Sequence, residues 1–100
     1  MNKPEKGFYY HFKHNSSISI SDHSYEVLGI SKNTENDSAS VVYRPLYKND
    51  WYEGFDFSSR PIEMFFDKKD LNGEMVYRFQ KITDEKIIAE LEKIRDTMYS

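Results

Sequence analysis

Five short runs of aromatic and β-branched residues recur along this chain, and they constrain it to a sheet. The runs are Tyr9-Tyr10-His11-Phe12, Tyr25-Glu26-Val27-Leu28-Gly29, Val41-Val42-Tyr43-Arg44-Pro45-Leu46-Tyr47, Arg60-Pro61-Ile62-Glu63-Met64-Phe65-Phe66 and Val76-Tyr77-Arg78-Phe79. Tyr, Val and Phe at strand spacing suit a pleated, half-buried surface. Arg44, Arg60 and Arg78 stand inside these runs, where solubility alone would more usually be served by Lys or Glu. A binding surface on the sheet is therefore expected.

One hundred residues suffice for one compact domain and hardly for two. With 8 Tyr and 7 Phe, a modest core must lean on large rings. The 14 basic and 17 acidic residues leave a formal charge of −3, which disfavours bulk attraction to a nucleic-acid polymer. There is no cysteine, which removes disulfides, thiol catalysis and thiolate metal sites together. Met1-Asn2-Lys3-Pro4-Glu5-Lys6 lacks the apolar core of a signal peptide, and no apolar run approaches the ~20 residues of a membrane helix. The chain reads as cytoplasmic, with no membrane partner.

Residues 1–7 form a polar lead-in, 8–82 a β domain and 83–99 a C-terminal amphipathic helix. Extended segments are expected around 8–12, 25–30, 40–44, 61–66 and 75–80. The serine-rich stretch 14–24 reads as a loop, with an edge ribbon at 18–21 as its one regular option. Pro45 removes a backbone donor and argues for a strand end, bulge or edge there, with a loss of register. Asn72-Gly73 tolerates the positive φ of a type I′ hairpin. It should join a strand ending near Leu71 to one running from Glu74 to about Lys81. After Ile82 the period changes: Ile87, Ile88, Leu91, Ile94 and Met98 make one helical stripe, capped by Thr83 or Asp84. The expected fold is mainly β, a small SH3-like barrel or strongly bent antiparallel sheet with this C-terminal α-helix. Its core is expected to hold Phe12, Val27, Ile30, Val41, Tyr43, Leu46, Ile62, Met64, Phe66 and Phe79. The helical stripe either caps the sheet or pairs with a second subunit, and a homodimer is the favoured reading.

No catalytic motif, metal site or cofactor is indicated. His11 and His14 are three apart, which a strand places on opposite faces. The serines lie in no activating motif, and the four glycines are isolated, without a phosphate loop. Glu26 and Glu63 could act as paired carboxylates only if the fold brought them together. The arginines carry more information. A guanidinium is a planar fork of five donors that clamps carboxylate or phosphate, and Tyr and Trp offer faces for a planar group. Arg44, Arg60, Tyr43, Tyr47, Trp51 and Glu63 are the candidate ligand-binding residues. The bland alternative is an internal ion pair of Arg44 or Arg60 with Glu26 or Glu63.

The spaced pattern Tyr10-His11-Phe12-Lys13, Tyr25 to Ile30, Val41 to Tyr47, Arg60 to Phe65, Asn72-Gly73 and Arg78-Phe79 resembles the DUF1653 family over roughly residues 8–82. These are small bacterial and phage-borne proteins of uncharacterised function. The resemblance implies a compact β domain and supplies no mechanism. Where the family usually carries a His-Ser-Glu-Thr type of stretch, this chain has Asn33-Thr34-Glu35-Asn36, so a role needing an imidazole there does not carry over. The terminal helix lies outside the match.

Three functional readings follow. The first is non-catalytic binding of an anionic, nucleotide-like small molecule by the arginines and rings. The second is a protein-interaction or inhibitor module. It would use Trp51, Tyr52, Phe55 and Phe57 of loop 48–58 as anchors, with Ile87, Leu91 and Ile94 as a helical contact surface. The third is a small hydrolase whose site is assembled only in space.

Overall fold

Along β1 (Gly7–His11) successive side chains turn to opposite sides, and the two sides acquire different covers. The computed structural model describes residues 4–48 and 57–99. After β1 come β2 (Ser24–Lys32), β3 (Ala39–Pro45), β4 (Ser58–Pro61), the single helical turn α1 (Ile62–Phe65), β5 (Lys68–Leu71), β6 (Glu74–Tyr77), β7 (Phe79–Lys81) and α2 (Glu85–Met98). Five strands form one antiparallel sheet in the order β4-β3-β2-β1-β7, and β5 pairs with β6 as a separate hairpin. No helix among the described residues is long and apolar enough to cross a membrane.

The expected SH3-like barrel or strongly bent sheet does not form. Among the described residues the sheet stays open, with β4 and β7 as edges that do not meet. Closure would need one long strand over about 74–81, and Arg78 breaks that strand. Its backbone N–H donates to the Asp67 carbonyl at 2.8 Å, and its guanidinium takes both oxygens of the same residue at 2.7 and 2.8 Å. The chain before Arg78 therefore folds back on β5, and only three residues after it join β1. Each face is instead covered by a helix, so neither needs to roll up to bury its rings.

The expected strand over 61–66 is corrected as well. Extended structure ends at Pro61, and Ile62–Phe65 turns into helix. Helical spacing buries Ile62 and Phe65, whereas strand alternation selected Met64 and Phe66. Phe65 is 1% exposed, against 47% for Met64 and 36% for Phe66. Of the remaining expected core, Val27, Val41, Tyr43, Leu46, Ile62 and Phe79 are buried, while Phe12 and Ile30 are half-buried. Phe8, Tyr9, Tyr25, Ile82 and Leu91 are buried too.

One face carries Tyr9, Tyr25, Val27, Val41 and Tyr43, covered by Ile62 and Phe65 of α1 together with Phe79. The other carries Phe8 and Leu46, closed by Ile82 and Leu91 with Ile87, Ile88 and Ile94 around them. The α2 stripe thus packs on its own sheet. Asp84 caps α2, accepting from the Lys86 and Ile87 amides at 2.9 and 3.2 Å.

β3 does end at Pro45, but the register shifts elsewhere, between Val27 and Gly29. That bulge at Leu28 keeps both Val27 and Ile30 opposite core residues of β3, Tyr43 and Val41. Asn72 and Gly73 take φ of 54° and 88° at the tip of the β5–β6 hairpin, as their turn chemistry demands. Residues 14–23 are a succession of turns without a ribbon, and Ser24 already opens β2.

Candidate functional site

Strand register separates the two arginines that the sequence suggested as a clamp. Arg44 lies opposite Glu26, which lies opposite Phe8, and this row faces α2. Arg60 lies opposite Val41 and so belongs to the other face. The two guanidiniums do not converge.

Arg44 is held by structure. Its Nε and Nη2 both stand 2.9 Å from Oε1 of Glu26, and Arg95 of α2 donates Nη1 to Oε2 at 3.0 Å. The Arg44 guanidinium lies 4.0 Å from the centre of the Tyr99 ring, and the Tyr99 hydroxyl donates to the Pro45 carbonyl. This is an internal ion pair with Glu26, extended to the helix. Glu63 projects from α1 on the opposite side of the sheet, so Glu26 and Glu63 are not a carboxylate pair.

Arg60 is different. Its guanidinium carbon lies 5.7 Å from the centre of the Phe79 ring, and its Nε is buried with no hydrogen-bond partner among the described residues. A buried donor left unmade costs about 1–3 kcal/mol, and more on a charged group. The neighbouring cation, Arg78, has its charge met by the two-pronged pair with Asp67. That pair holds the Asp67 carboxyl below the usual carboxylate range.

Rings wall the same face. Tyr43 meets Tyr25, Phe79 and Phe65 edge-on at 5.4, 5.8 and 6.3 Å. Tyr47 is half-buried, its hydroxyl 2.6 Å from that of Tyr25 and its ring 5.3 Å from His23. Tyr43, Tyr47 and Arg60 therefore share a face, and Arg44 does not. Trp51, Tyr52 and Phe55 lie outside the described residues, and Phe57 is exposed just ahead of β4. Ile87, Leu91 and Ile94 turn toward the sheet, with Leu91 fully buried.

Two histidines complete the neighbourhood, and neither was singled out as a binding residue. His11 follows Tyr9 on the same face of β1 and meets Phe79 edge-on at 5.2 Å. Burial first, and then the charges of His23, Arg78, Lys13 and Arg60, lower its pKa from 6.5 to about 4. Alternation of the first strand does place an imidazole beside Tyr9, and that was the available signal. His23 had none, because its position depends on a left-handed backbone (φ 46°) just before β2. That conformation costs a non-glycine residue of order 1–3 kcal/mol and sets the ring 5.9 Å from His11. His23 Nδ1 is 3.1 Å from Asp22 Oδ2 yet buried without meeting hydrogen-bond geometry.

A cleft of about 820 Å³ opens at the sheet edge, lined by Tyr9, Ile62, Phe66, Tyr77, Phe79 and Lys81 among others. Lys81 pairs with Glu5 at 2.5 Å across its rim. A smaller hollow of about 210 Å³ lies beside His11, against the β5–β6 hairpin. Among the described residues no three His, Asp or Glu side chains are grouped to hold a metal ion.

Comparison with known proteins places the chain. The family model described as "Protein of unknown function (DUF1653)" matches residues 7–81. A crystal structure of a DUF1653 protein from Bordetella bronchiseptica is similar, with 26% identity and a TM-score of 0.60 over 81% of this chain and 94% of that one. No curated protein matches.

Proposed function

We propose that this chain, which belongs to the DUF1653 family, binds an anionic small molecule through Arg60 on the sheet face opposite α2. The observation that carries this reading is the buried, unpartnered Nε of Arg60 beside the Phe79 ring. Structural arginines in this fold find carboxylates: Arg44 and Arg95 take Glu26, and Arg78 takes Asp67. Among the described residues Arg60 has no such carboxylate, which suits a guanidinium whose partner arrives from outside. Tyr47, half-buried on the same face, favours a ligand with a planar part, of which a nucleotide is one kind.

The test is a thermal-shift screen, with native mass spectrometry as the second readout. Nucleotides, cyclic dinucleotides and ADP-ribose derivatives would each be presented at ~100 μM. A ligand with a dissociation constant near ~1 μM adds about 2.7 kcal/mol to folding stability by linkage. Arg60→Gln should remove that gain while leaving the fold intact. A hit that survives Arg60→Gln unchanged, or a screen silent across all three classes, overturns the reading.

A further inference from the structure

Arg60 does not stand alone at the Phe79 ring. His11 meets the same ring at 5.2 Å, and its imidazole lies 5.9 Å from that of His23 and 6.3 Å from the Tyr25 ring. The Lys13 backbone N–H donates to His11 Nδ1 at 3.2 Å. An accepting Nδ1 settles the tautomer: the neutral ring carries its hydrogen on Nε2.

Protonating His11 would turn a second N–H against the Lys13 amide. It would also add positive charge beside Arg60 of β4, Arg78 ahead of β7, Lys13 after β1 and His23 ahead of β2. Burial opposes the charge as well, so the ring stays neutral down to about pH 4. Arg78 is already met by Asp67. Lys13 is exposed to solvent. Among the described residues an incoming group therefore finds one guanidinium with a buried, unpartnered nitrogen and one neutral donor.

We propose that His11 is a second, uncharged binding residue of the Arg60 site, and that the site takes a singly charged oxyanion, a carboxylate or phosphodiester, in preference to a dianionic phosphate monoester. The proposal rests on the anion-binding reading above and adds the charge of the ligand and its second donor. One anionic charge is met by Arg60. A second would be drawn from water into a ring-walled face where, among the described residues, Arg78 is already paired and Lys13 stays in solvent, which is unfavourable.

Three probes with the same ring separate the cases: benzoate, methyl phenyl phosphate and phenyl phosphate, titrated by NMR. Phosphate monoesters take their second charge near about pH 6. Benzoate or methyl phenyl phosphate, or both, should bind with constant affinity from about pH 5.5 to 8, and which of them binds names the source of the anion. Phenyl phosphate should weaken as pH rises through about 6, by roughly tenfold or more at pH 7.5. Long-range proton–nitrogen spectra should show the His11 Nε2–H resonance moving on binding while the ring stays neutral. His11→Phe should weaken binding by about threefold to tenfold, the range of one neutral hydrogen bond.

If the dianion binds best, or ligand draws a proton onto His11 between about pH 5.5 and 7, this proposal fails while the Arg60 reading stands. If Arg60→Gln leaves binding of all three probes unchanged, or none saturates below about 10 mM, both readings fail together. The His11 resonance in the unaltered protein keeps the test decisive even where His11→Phe does not fold.

Discussion

Arg95 of α2 donates Nη1 to Oε2 of Glu26 at 3.0 Å, joining two residues 69 positions apart in the chain. Arg44 occupies the other oxygen of the same carboxylate from the neighbouring strand. One half-solvated helix arginine and one strand arginine thus share a single buried acid, and the helix is pinned over the sheet by charge as well as by its apolar stripe. Glu26→Gln leaves two partly buried cations facing a neutral amide. The expected loss is about 3 kcal/mol in denaturant unfolding, the low end for a broken buried pair because Arg95 keeps some water. A loss below about 1 kcal/mol would show that the triad behaves as a surface pair.

The same triad shows what the sequence allowed and what it withheld. Hydrophobic period marked β1, β2, β3, the Asn72-Gly73 hairpin and α2, because local spacing and turn chemistry determine them. The Arg44–Glu26 pair was legible as one of several pairings, since β2 and β3 were adjacent expectations. Its third member, Arg95, was not, because nothing local says which side of the sheet a terminal helix will cover. The open sheet was hidden for a related reason. Whether residues 74–81 form one strand or two is decided by Arg78 reaching Asp67, a contact across 11 positions.

At 61–66 the signal was ambiguous from the start. Ile62, Met64 and Phe66 satisfy a period of two, while Ile62 and Phe65 satisfy a helical turn, and four residues are too few for periodicity to choose. Packing chose the turn. Phe65 stacks on Phe79 with centroids 4.4 Å apart and meets Tyr9 edge-on at 5.4 Å. Phe65→Ala should therefore cost roughly 3–5 kcal/mol, and Phe66→Ala only about 1 kcal/mol. A larger loss for Phe66→Ala than for Phe65→Ala in chemical unfolding would mean that the strand phase was right after all.

His11 gives the fold a pH dependence of definite sign. The folded ring has its pKa near 4, lowered from the ordinary 6.5. The unfolded chain therefore takes up a proton below about pH 6.5 that the folded chain refuses. This group's contribution is complete above about pH 6.5 and is lost progressively as the pH falls toward about 4. Glu5, Asp22 and Asp67 have lowered pKa values, and their contributions are lost only below the unfolded carboxylate range. Between about pH 6.5 and 4.5, the melting temperature of His11→Phe should fall less steeply than that of the unaltered chain. Parallel slopes would place the imidazole in water.

Leu91 is the anchor of the second core, fully buried against Phe8, Leu46 and Ile82. Its neighbours Ile87, Ile88 and Ile94 are partly buried against the same cluster, within one chain. Leu91→Ala should then cost about 2–5 kcal/mol, the range for truncating a core leucine. The loss should be the same at any protein concentration, because the contacts removed are intramolecular. The measurement is chemical unfolding of the full chain and the variant at two concentrations about a hundredfold apart, alongside light scattering. A midpoint that rises with concentration in the full chain but not in the variant would instead put the stripe at a subunit interface. The capping role of α2 would then have to be shared with a second copy.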